Sequence, residues 1–147
     1  MHPSFFLLFL LAACSSPEPD LIDTGDGGKI VCGDPTAHDV TLSFGVADSE
    51  GNGVSNLSVS LVDRSWEPGV LGEGQTDGQG LGSLLAVGVT DLPDCWGTLL
   101  NYVVEVSDPN GYYADAEKPV NSYLHGAIED GSLEADFSAF PIVVSPQ

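Results

Sequence analysis

Val40-Thr41-Leu42-Ser43-Phe44-Gly45-Val46 alternates an apolar side chain with a small or polar one at every step. A period of two puts Val40, Leu42, Phe44 and Val46 on one face of an extended strand and Thr41, Ser43 and Gly45 on the other. Leu57, Val59 and Leu61 repeat the pattern against Ser58, Ser60 and Val62. Leu100, Tyr102, Val104 and Val106 give a third face, and Leu133, Ala135 and Phe137 a fourth, which Ile142 to Val144 extends. Weaker strand candidates are Val70 to Thr76, Gly80 to Val87 and Tyr123 to Ile128. No segment carries a sustained apolar stripe of helical period, so no helix longer than a turn or two is expected. Asn52-Gly53, Asp77-Gly78, Asn110-Gly111 and Asp130-Gly131 accept positive φ and read as hairpin turns. About seven short strands between such turns predict an all-β fold, one antiparallel sandwich over residues 30–147.

The charge balance narrows the function classes. Asp and Glu number 22 of 147 residues against three Lys and Arg, for a net charge of −19 and a pI near 4.1. A phosphate backbone is gripped by clustered cations, so no nucleic-acid partner is expected. Anionic membrane surfaces are disfavoured for the same reason. With 42% apolar residues and a mean hydropathy of +0.11, the chain still has the material for a core.

Phe5 to Ala13 is an unbroken apolar run. As a helix it would span about 13 Å, less than half of a hydrocarbon core of roughly 30 Å, so it suits a secretory signal peptide and not a membrane span. Leu11, Ala12, Ala13 and Cys14 then resemble the lipobox of bacterial lipoproteins at every position. That resemblance implies cleavage after residue 13, lipidation of the Cys14 thiol, and a cell-envelope location in which the membrane is engaged through acyl chains. Ser15 directly after the cysteine leans toward the outer membrane. One acyl chain binds a bilayer marginally, whereas two or three anchor it stably.

Residues 14–29 read as the lipidated cysteine and an acidic flexible tether. Pro17, Pro19, Glu18, Asp20, Asp23 and Asp26 leave only Leu21 and Ile22 to bury. Asp23 to Gly28 superficially suggests a calcium loop, but no Glu closes it as in an EF-hand, and a solvated spacer is expected.

Within the strands, Val46-Ala47-Asp48, Gly51, Gly53-Val54, Asn56, Val59 and Leu61, then Gln75-Thr76-Asp77-Gly78-Gln79-Gly80, Tyr102-Val103-Val104-Glu105-Val106 and Pro109-Asn110-Gly111-Tyr112 are similar to the carboxypeptidase regulatory-like and transthyretin-like modules. The resemblance covers Val40 to about Tyr113 and departs at Leu81 and Gly82, where the family favours an aromatic, and at Leu92 to Thr98, which reads as an inserted loop. It implies an Ig-like, prealbumin-like sandwich acting as a structural or adhesive module, usually without catalysis.

With Cys14 assigned to lipid, Cys32 and Cys95 remain, an even number in an exported chain, and a disulfide is expected between them. Strand alternation gives the same answer. Cys32 precedes the first strand, and the loops after the second strand (Asp63 to Gly69) and the fourth (Gly88 to Thr98) fall at that same end of the sandwich. Trp66, Trp96 and Arg64 belong to this end as well, and two readings stand: a partner-binding patch for an envelope protein or glycan, or tryptophans capping the core beside the disulfide. The opposite end collects Asp48, Glu50, Asn52, Asp77 and Asp108. Oxygen ligands converging from three loops are what Ca²⁺ takes, and the same residues are what hairpin turns take, so calcium is the one cofactor the sequence raises.

No nucleophile elbow, metalloprotease helix or P-loop occurs. The enzymatic alternatives are a hydrolase using paired carboxylates and an intradiol dioxygenase-like site built from Tyr112 or Tyr113, Tyr123 and His125. The second lacks its family's His-x-His pair, and the sequence points to a non-catalytic module.

Overall fold

The computed structural model describes residues 31–147 and the backbone of two short strands before them, so Cys14 and the signal segment 1–13 lie outside the described residues. The first of these strands, β1 (Ile22–Asp23), pairs antiparallel with β2 (Lys29–Ile30), a two-residue hairpin within the stretch expected to be a tether. It belongs to a unit, Met1–Val31, separate from the domain Cys32–Gln147.

In the domain, the opening alternation becomes β3 (Thr36–Ala47), the longest strand. Val40, Leu42, Phe44 and Val46 are each at most 1% exposed, and burial contributes about 1.5–3 kcal/mol for each such side chain. The strands β4 (Ser58–Asp63), β5 (Gly69–Gln75), β6 (Leu81–Asp91) and β7 (Tyr102–Ser107) follow. A short helix, α1 (Trp96–Leu99), sits in the loop before β7. Next come β8 (Ala116–Pro119), a second helix α2 (Asn121–Glu129), β9 (Glu134–Asp136) and β10 (Ile142–Val143). One sheet has the order β5-β4-β7-β8, antiparallel throughout. In the other, β3 pairs antiparallel with β6 on one side and parallel with β9 and β10 on the other. Val59 and Leu61 of β4, Leu84 and Ala86 of β6, and Tyr102, Val104 and Val106 of β7 complete the core between them.

Four expectations are corrected. The sheets are mostly but not wholly antiparallel, because a helix between β8 and β9 returns the chain alongside β3 in the same direction. Tyr123 to Ile128 is helical and not a strand. Val120, Leu124 and Ala127 are buried at helical spacing, and the side chain of Asn121 ties the helix start to the sheet, accepting from the Tyr102 N–H at 2.7 Å and donating to the Leu100 carbonyl at 2.6 Å. Asp130-Gly131 accordingly closes a helix and not a hairpin: Gly131, at φ 74°, donates its N–H to the Ile128 carbonyl. Asn52-Gly53 and Asp77-Gly78 do not close hairpins either, because each joins strands of opposite sheets, and there the positive φ falls at Gly51 and Gly80 instead of Gly53 and Gly78. Gly53 is needed for another reason, since a Cβ there would overlap the Gln79 carbonyl of the neighbouring turn.

The edges are covered. β5 lies so close along β6 that a Cβ on Gly72 would collide with the Leu85 carbonyl. At the opposite side Tyr113, just before β8, forms an isolated antiparallel bridge with Pro146 near the end of the chain.

Candidate functional site

The tether end is assembled from residues distant in sequence. Cys32 and Cys95 form a disulfide with Cα atoms 5.6 Å apart, closing a separation of 63 residues. Beside it the Gly33 N–H donates to the Pro93 carbonyl at 2.9 Å. Trp96 is 7% exposed and caps the core. Its indole N–H donates to Asp91 Oδ1 at 3.0 Å, and its ring lies 5.9 Å from Tyr102 and 5.1 Å from His125. The Tyr102 hydroxyl accepts from the Thr90 N–H at 2.9 Å, and burial pushes its pKa up.

The partner patch proposed from Arg64, Trp66 and Trp96 is divided by the fold. Trp66 is 60% exposed in the β4–β5 loop, while Trp96 is internal. Arg64 turns along the outer face of the β5-β4-β7-β8 sheet, its Nη2 donating to Glu117 at 2.7 Å and Glu105 at 2.5 Å. Glu105 and Glu117 are register partners on β7 and β8, so one guanidinium bridges a like-charged cross-strand pair. The two carboxylates, Glu117 foremost, hold the Arg64 pKa above its ordinary value.

At the opposite end the turns carrying Asp48, Asp77 and Asp108 do gather, since Ser58 at the start of β4 faces both Gln75 and Ser107 and Gly53 of the Asp48 turn lies against Gln79 of the Asp77 turn. Each aspartate, however, is spent on its own turn. Asp48 Oδ1 accepts from the N–H groups of Glu50 and Asn52, both at 2.9 Å, and the Asn52 side-chain amide donates to its Oδ2. Asp77 Oδ1 accepts from Gln79 and Leu81. Asp108 accepts from Asn110, Tyr112 and Tyr113. Backbone donors, chiefly that of Asn52 for Asp48 and of Asn110 for Asp108, hold these two carboxyls below the usual range. Among the described residues no three His, Cys, Asp or Glu side chains form a group able to hold a metal ion.

Tyr112 and Tyr113 lie in this end's β7–β8 turn, bonded to Asp108, whereas His125 faces Trp96 at the tether end. The dioxygenase-like ligand set is therefore not brought together. Two residues that the sequence reading did not single out are central to the packing. Asn121 is one. Lys118 is the other: its ammonium donates to the Phe140 carbonyl at 2.5 Å and lies 4.9 to 6.0 Å from the ring centres of Phe137, Tyr123 and Phe140. Burial lowers its pKa, and the three ring faces and the carbonyl offset that cost. The signal for it was its rarity, one of three basic side chains in an acidic protein.

At the tether end a cleft of about 480 Å³ opens between the Asp91–Gly97 loop and α2. Asp91, Asp94 and Glu129 supply its charge, and Trp96, Pro93 and Ile128 its apolar surface. His125, half-exposed, has Nε2 3.9 Å from Glu129 Oε2, and its Nδ1 is buried without a partner. Comparison with protein-family models, curated proteins and solved structures finds no match to this chain.

Proposed function

We propose that the protein is an exported lipoprotein, anchored in the bacterial cell envelope through Cys14, that displays a non-catalytic β-sandwich as an interaction or structural module. The observation that carries this reading is the register of Leu11-Ala12-Ala13-Cys14 at the end of the Phe5 to Ala13 apolar run. The Cys32–Cys95 disulfide supports it, because such bonds persist in oxidising compartments outside the cytosol. We assign the sandwich to the prealbumin-like kind. In an immunoglobulin constant domain the first two strands share a sheet, whereas β3 and β4 here lie in opposite sheets. The outer membrane is the proposed site and an envelope protein or glycan the proposed partner.

The test is metabolic labelling with a radioactive fatty acid in an expressing bacterium, followed by fractionation. The parent should carry label and sediment with membranes, and Cys14→Ser should lose both. A Cys14→Ser protein that stays in the membrane fraction, or an unlabelled parent, overturns the assignment.

A further inference from the structure

We propose that the cleft between the Asp91–Gly97 loop and α2 binds a compact organic cation, an ammonium or guanidinium group carried on an apolar body. The cleft's size falls within the range of small-molecule sites, and its lining is of two kinds on facing elements. His125 and Ile128, with the small part of Trp96 left exposed, offer ring and aliphatic surface, while Asp94 on the loop and Glu129 on the helix offer carboxylates. Among the described residues no Lys or Arg lines the cleft. Arg64 is held between Glu105 and Glu117, and Lys118 lies under its three rings, so neither neutralises it. A cation between carboxylates and an aromatic wall gains both Coulomb attraction and attraction to the ring faces, each stronger where water is partly excluded.

The loop is also held in shape before any ligand arrives. Cys95 is bonded to Cys32, Pro93 accepts from Gly33, and the Trp96 indole is fixed by Asp91. Asp94 stands between these ties at φ 67°, a conformation that Asp and Asn tolerate better than other side chains. A wall fixed in advance has little ordering entropy left to lose on binding. This site is independent of the membrane anchor.

The experiment uses the mature domain with Trp66→Phe, which leaves Trp96 as the only tryptophan. Benzylammonium chloride is titrated at constant ionic strength, with benzyl alcohol as the neutral counterpart and sodium chloride as the screening control. The expected result is a saturable change in Trp96 fluorescence with benzylammonium that sodium chloride does not reproduce. Affinity should fall about fivefold with benzyl alcohol and by a similar factor in Asp94→Asn/Glu129→Gln. Backbone amide shifts should concentrate at residues 91–97 and 125–129. Equal binding of the charged and neutral probes, unchanged affinity in the double variant, no saturable signal, or shifts spread evenly over the acidic surface would each overturn the proposal.

Discussion

At the tether end of the sandwich the ties run between residues far apart in sequence, while at the acidic end most ties close within a single turn. Cys32 reaches Cys95, Asn121 reaches Leu100 and Tyr102, and Trp96 packs on His125. Asp48, Asp77 and Asp108 bond to N–H groups two to five residues ahead. The two ends therefore respond differently to substitution. Long-range ties restrain the unfolded chain or leave buried groups orphaned when cut, whereas a self-contained turn loses only its own order.

The largest effect is expected from the disulfide. Cys32→Ala/Cys95→Ala should lose about 4 kcal/mol in urea unfolding, from loop-closure entropy over the intervening chain. Asn121→Ala comes next. It strands the Tyr102 N–H and the Leu100 carbonyl in a partly buried site, and a loss of about 2–3 kcal/mol in the same assay is expected. Asn121→Asp, which keeps the acceptor for Tyr102 but not the donor for Leu100, should recover part of it.

Gly53→Ala is the substitution best placed to break the contrast, because it lies at the acidic end where two turns touch. Its Cβ would meet the backbone of Gln79 and Gly80, not a side chain that can swing away. Overpacking of this kind predicts a loss of about 2 kcal/mol, with Gly51→Ala costing less, since a Cβ there meets nothing and the penalty is only its φ of 87°. Equal losses for the two would mean that the turns do not constrain each other.

The smallest effect is a pH dependence. Asp48, Asp108, Asp130 and Asp136 all have carboxyls held below the ordinary value of 3.8 by donors in their own turns, chiefly backbone N–H groups, with the side chain of Ser138 foremost for Asp136. A folded pKa below the unfolded one stabilises at any pH above the unfolded value, and that contribution fades as pH falls through the folded value. Asp108→Asn should therefore lose less stability than the parent between about pH 5 and about pH 2 in thermal melts. A parallel decline in both proteins would show that the Asp108 turn does not hold its carboxylate.

This contrast also explains what was legible in the sequence. β3, β4 and β7 were, because a sheet face in contact with the core writes its burial directly as a period of two, and the residues of that period are buried, while Ala47 and Val103 are buried too and fall outside it. The cysteine pair was legible because strand alternation fixes which loops share an end. Helix α2 was not. Only Leu124 and Ala127 are buried within it, and Val120, which completes their stripe, lies before its first turn. β9 and β10 were found as strands, but their parallel pairing depends on the path of that helix and so was read as antiparallel. Asp48, Asp77 and Asp108 were placed at one end, where each occupies its own turn. The clefts and the Lys118 cage depend on side chains converging from separate elements, which no local period records.

The most direct test of the account is the intact mass of the mature protein purified from the envelope without reduction, followed by peptide mapping. The account predicts a chain that starts at an acylated Cys14, two hydrogens short of its reduced mass, with the peptides containing Cys32 and Cys95 joined. An unmodified Cys14 or two free thiols at Cys32 and Cys95 would contradict it.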